Sequence, residues 1–135
     1  MKRMILSAEV NRLDELIDFI NAELEEHGLP MKTIMQIDIA VDEIFGNIAN
    51  YAYAPDVGEA EVTIDVEQDP PCAVIRFTDK GRPFDPLKKP DPDVTLGVEE
   101  REIGGLGIYM VKKSMDEVSY AYEDGRNVLT MRKRL

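Results

Sequence analysis

The sequence predicts an α+β fold in two layers: a mixed, mainly antiparallel sheet of about five strands with about three helices on one face. Three observations predict it. Two helical stripes of apolar residues fill the chain up to Ala52, the hydrophobic period changes to two at Ala60, and two strand pairs follow with a third helical stretch between them. A chain of 135 residues suits one domain, expected over 1–135, with enough length to build a real core.

Taken in order, Lys2 to Ser7 contains Met4, Ile5 and Leu6 and is expected to form an edge strand. From Val10, the positions Leu13, Leu16, Ile17, Ile20 and Leu24 trace a helical stripe, with Asn11 or Ser7 available as a cap and Gly28 as the stop. Pro30 suits a first helical turn. Behind it Ile34, Ile37, Val41, Ile44, Ile48 and Ala52 continue a long second stripe up to AYAPDVG. Alternation over Ala60 to Gln68 and the run Cys72 to Asp79, joined at DPP, read as a hairpin. Residues 80 to 104 carry four prolines and little periodicity, as expected of a functional or mobile loop. Leu106 to Met115 is helical in pattern, and Glu117 to Glu123 pairs with Val128 to Arg132 across the strong turn DGRN.

The formal charge of −11 argues against an electrostatic grip on nucleic acid, because that affinity comes largely from Lys and Arg neutralising phosphates. The acidic excess lies wholly in residues 1–68, since acids and bases balance from residue 69 onward. No apolar run approaches the length of about 18 residues that a membrane span requires, and the apolar start is too short for a signal peptide. One cysteine and one histidine leave no disulfide framework and no Cys/His metal site. The expected location is cytoplasmic.

Chemistry concentrates in three places. Glu43 and Asn47, four apart, share one face of the second helix at the margin of its apolar stripe, with Asn50 near the same face. A carboxylate there could take a proton, and an amide oxygen could bind hydrated Mg²⁺. Asp79 ends a strand with Gly81 two residues on, a pair that could read an exocyclic amine and let a ring approach the backbone. Gly104, Gly105 and Gly107 open the third helix, where unhindered amides and the helix dipole favour an anion. Taken alone, each also reads as something ordinary: an exposed polar pair, a turn, a glycine-rich helix start.

In this order, however, EIFGNIANYAY resembles the N box, DKGRPFDP the first glycine box and GGLGIYMVKKSMDEVSY the second glycine box of the GHKL ATPase superfamily, whose ATP site is the Bergerat fold. The nearest likeness is to the bacterial anti-sigma-factor serine/threonine kinases, which share PFDP, MDEV and a final NVLT strand. That resemblance implies Glu43 as catalytic base, Asn47 as Mg²⁺ ligand, Asp79 as the adenine-reading acid with Gly81 beside it, and an ATP lid over residues 87–104. It places Asn50, Phe84, Gly104, Gly105, Leu106 and Gly107 among the nucleotide-binding residues.

It further implies ATP and Mg²⁺ as cofactors, phosphorylation of a serine on an STAS-domain anti-sigma factor antagonist, sequestration of a sigma factor, and a homodimer. Nucleic acid and membrane contacts are not expected. Two positions depart from the pattern. Tyr51 stands where many members carry histidine, and Arg126 where the broader superfamily often has threonine. Lys88, Lys89 and Arg101 are candidates to reach phosphates from the lid. The alternative function is a catalytically silent, ATP-sensing module that sequesters a regulatory partner.

Overall fold

The computed structural model describes residues 1–68, 70–88 and 105–135. Five strands, β1 (Lys2–Ser7), β2 (Glu59–Gln68), β3 (Pro71–Asp79), β4 (Glu117–Glu123) and β5 (Arg126–Arg134), form one sheet in the order β1-β2-β3-β5-β4. Every neighbouring pair is antiparallel, so the sheet is of one kind where the sequence left room for a mixed one. β1 lies at an edge, as its pattern predicts. Three helices, α1 (Leu13–Glu26), α2 (Met31–Asn47) and α3 (Gly105–Ser114), make the second layer.

Alternation fixes which side of the sheet they cover. Val62, Ile64, Ala73, Ile75, Phe77, Leu129 and Met131 point inward and are buried, while Glu61, Thr63, Arg76 and Thr130 face the other way. The helices answer with Leu16, Ile20, Leu24, Ile37, Val41, Ile44 and Phe45, all essentially inaccessible to water. Each large side chain buried in this way contributes about 1.5–3 kcal/mol relative to exposure. Among the described residues no helix is long and apolar enough to cross a membrane.

The ends of α1 revise two expectations. Neither Asn11 nor Ser7 caps it: the helix is entered through a short 3₁₀ turn, Val10–Arg12, and the Ser7 hydroxyl instead donates to Glu9 and accepts from Arg12. At the other end Gly28 does stop the helix. Its φ of 74° lets its N–H reach Glu25 O at 2.9 Å and brings Leu29 N–H to Leu24 O at 3.2 Å, a Schellman closure with Leu24 and Leu29 both buried. Pro30 is the cap residue rather than part of the first turn, in extended conformation with α2 beginning at Met31. The β4–β5 turn has positive φ at both Asp124 and Gly125, as a two-residue type I′ hairpin demands.

The α1–α2 seam holds a polar pair. Burial raises the Asp38 carboxyl above its usual 3.8, against a hydrogen bond from Asn21 that lowers it, and Asn21 Oδ1 and Asp38 Oδ1 are both buried without partners. A carboxyl whose pKa rises on folding contributes fully below its unfolded value, and that contribution is lost as pH climbs through the folded value. Asp38→Asn would supply an amide donor for the orphaned Asn21 oxygen. We expect it to stabilise the fold by about 1 kcal/mol at neutral pH, a gain of about 3 °C in melting temperature that shrinks as pH approaches the unfolded value. Thermal melts of the two proteins across pH check this.

Candidate functional site

The apolar stripe of α2 sets the phase of its polar residues. With Ile34, Ile37, Val41 and Ile44 turned into the core, Glu43 and Asn47 emerge half-buried on the flank toward α3. Burial pushes the Glu43 carboxyl up from its usual 4.5, a hydrogen bond from the Asn47 side chain pulls the other way, and Asp42 adds a smaller upward push. An Asn47 amide nitrogen that serves Glu43 would leave its carbonyl oxygen for a hard cation such as Mg²⁺.

Gly107, in the first turn of α3, lies directly against this carboxylate. A β-carbon built on Gly107 would fall 2.2 Å from the Glu43 carboxyl carbon, so only glycine lets the helix start approach so closely. The amides of that first turn have no partners within the helix. α3 thus presents donors and the positive end of its dipole beside the carboxylate.

The C-terminal end of β3 supplies the second part. Asp79 is 5% exposed and faces Asn127 of β5 across the ladder. Its Oδ1 accepts from Gly81 N–H and from the Asn127 amide, both at 2.9 Å; among the described residues its Oδ2 accepts no bond. That leaves one carboxylate oxygen of Asp79 to receive a donor from a ligand.

Asn127 does more than hold Asp79. Its amide also donates to Arg82 O at 2.8 Å, and its carbonyl accepts from Phe84 N–H at 3.1 Å and from the Tyr120 hydroxyl. From the other side, Lys80 N–H donates to the Tyr53 hydroxyl at 2.8 Å, and Arg82 N–H to Ala52 O at 2.9 Å. The carbonyl of Ala52 is delivered by a π turn, Ile48–Ala52, that continues α2. Residues 80–84 are therefore pinned to the sheet by Asn127 and to the end of α2 by Ala52.

Between these parts lies a narrow, largely apolar pocket. Ile44, Ile48, Phe77 and Leu129 give it apolar walls, and Asn47, Asp79 and Asn127 are its convergent polar groups. Phe84 stands half-exposed at its rim, with its ring centroid 6.1 Å from that of Tyr51.

Of the expected site residues, Asn47, Asp79 and Phe84 line this pocket, Gly81 is bonded to Asp79, and Glu43 lies against Gly107 one helical turn from Asn47. Asn50 is exposed on the π turn and does not line the pocket. Gly105 is the first residue of α3 and Leu106 the second, whereas Gly104, Lys89, Arg101 and all of the expected lid beyond Lys88 lie outside the described residues. Arg126 is exposed, with its side chain on the sheet face opposite the helices, so the pocket-facing residue after the turn is Asn127.

Asn127, Tyr120 and Tyr53 are the residues that the sequence reading missed. A signal for Asn127 existed: it occupies the inward phase of β5 shared by Leu129 and Met131, where a polar side chain requires a partner. Asn127→Ala should cost about 2 kcal/mol in urea unfolding, because Asp79, Arg82 and Phe84 each lose a buried partner.

Residues 6–133 match the histidine kinase-like ATPase domain family, and the chain belongs to that family. Within it, the chain is similar to the serine-protein kinase RsbW of Bacillus thuringiensis subsp. konkukian, with 31% identity over 106 residues, and to that of Bacillus cereus strain B4264, with 33% over the same length. Each match covers 76% of this chain, which spans about 65% of the length of these curated relatives. The fold is shared with a Mycobacterium tuberculosis protein solved with its RsbU and RsbW domains. That match has a TM-score of 0.67 at 17% identity and covers 100% of this chain and 33% of the other.

Proposed function

We propose that this chain binds ATP in the cleft between α2, the end of β3 and the start of α3. There it transfers the γ-phosphoryl group to a serine of an STAS-domain anti-sigma factor antagonist. As a homodimer, it sequesters a sigma factor when that antagonist is phosphorylated. The observation that carries the catalytic part is the placement of Glu43. Its half-buried carboxyl has a raised pKa, lies one turn from Asn47, and abuts Gly107 at a helix start that can receive phosphates.

In this reading the adenine amine donates to Asp79 Oδ2 and the ring lies against Ile48 and Phe77, while Gly81 serves to let residues 80–84 close against Ala52. Asn47 would hold Mg²⁺, which neutralises phosphate charge. Glu43 accepts the proton of the incoming serine hydroxyl as its oxygen bonds to phosphorus and ADP leaves. Phosphoryl transfer needs mainly alignment and charge neutralisation, so a small domain suffices.

The test is a pull-down from cell extract on the immobilised protein, with and without ATP. Co-purification of a sigma factor and an STAS protein, with phosphate appearing on a serine of the latter, is the expected result. ATP-dependent release of a partner without phosphate incorporation would instead mark a binding module.

A further inference from the structure

The outer face of α2 carries a stripe that the fold does not use. Met31, Met35 and Ile39, spaced by four, are 64%, 57% and 54% exposed, on the side of the helix turned away from the sheet. Exposed single apolar residues need no explanation, but three in line over more than two helical turns form a continuous strip. Two of the three are methionines, whose flexible thioether chains adapt to a partner's surface.

The rim of this strip is acidic. Asn21 of α1 bonds Asp38, so that side of α1 faces α2; Asp14, Asp18 and Glu25, at −7, −3 and +4 from Asn21, lie along the same side and are exposed. Asp42, which is exposed, extends the acidic border on α2 itself. None of these four carboxylates is ion-paired among the described residues. α1 has no Lys or Arg and α2 has one, Lys32.

We propose that the α1–α2 face is a docking surface for a basic amphipathic helix of a partner protein, whose apolar residues at spacings of three and four cover Met31, Met35 and Ile39 while its Lys and Arg meet the acidic rim. Charge complementarity selects this occupant. A second copy would bring the same carboxylates together, and nucleic acid or an anionic membrane would be repelled by them. The surface lies outside the cleft and does not depend on the chemistry assigned to Glu43.

The test is fluorescence anisotropy at about physiological salt. One labelled probe is a Leu/Lys peptide of about four helical turns with its leucines on one face; the other is a scrambled peptide of identical composition with no apolar face. The helical peptide should bind at least about tenfold more tightly than the scrambled one, a difference of about 1.4 kcal/mol. Met35→Ser/Ile39→Ser should remove that preference, and Asp18→Asn/Glu25→Gln should weaken binding and flatten its salt dependence. These positions are exposed, so melting curves and ATP binding of the variants should match the parent. Equal binding of both peptides, or indifference to Met35→Ser/Ile39→Ser, would overturn the proposal. So would sedimentation showing that the apolar substitutions convert a dimer to monomers, since a second copy would then be the occupant.

Discussion

Glu43→Gln should reduce phosphoryl transfer to the proposed STAS substrate by about a thousandfold while leaving ATP affinity within about threefold of the parent. Glutamine keeps the length of the side chain and can still bond Asn47, so α2 and the close approach of Gly107 survive. What it loses is the ability to accept a proton. The pH dependence carries a second signature. Because burial raises the Glu43 carboxyl above 4.5, ionisation is completed only at a higher pH than for a free glutamate, and the rate should rise with pH through that raised value. In the variant this acid limb should vanish. Single-turnover transfer of labelled phosphate measured across pH, alongside equilibrium nucleotide binding, checks both statements. Unchanged transfer by Glu43→Gln would remove Glu43 from the base role.

Most of the architecture was legible because burial imposes periods on sequence. The stripe from Ile34 to Ile48 fixes the phase of α2, and that phase alone places Glu43 and Asn47 at the margin of the core. The type I′ turn at Asp124 and Gly125 was legible for a different reason, since few residues tolerate positive φ twice in succession. What stayed hidden depends on contacts distant along the chain. Asp79 and Asn127 are 48 residues apart, and they meet only because the β3–β5 ladder sets them in register. Likewise, nothing in the local pattern at Ala52 says that its carbonyl will receive Arg82 N–H, because that depends on a π turn closing α2. The caps of α1 misled for the converse reason: Asn11 and Ser7 have the right chemistry, but a 3₁₀ turn already occupies the entry.

That long-range joint makes Gly81 the most sensitive backbone position in the cleft. A β-carbon at residue 81 would lie 2.3 Å from Ala52 O and 2.6 Å from its carbonyl carbon. The obstruction is main chain, held by the π turn and the buried Ala52, so it cannot swing aside as a side-chain tip would. Relief requires residues 80–84 to move off the end of α2. That breaks the bond from Arg82 N–H to Ala52 O and strains those from Gly81 N–H to Asp79 and from Asn127 to Arg82 O. Gly81→Ala should therefore destabilise the fold by about 3 kcal/mol, lowering the melting temperature by about 10 °C. The same movement releases Asp79 from one of its two fixed donors, so its carboxylate no longer presents Oδ2 at a set angle. ATP affinity should fall by about a hundredfold, well beyond the change expected at Glu43. Calorimetric ATP titration of folded Gly81→Ala at low temperature separates the two effects. Parent-like affinity there would show that the contact between residue 81 and Ala52 serves stability alone.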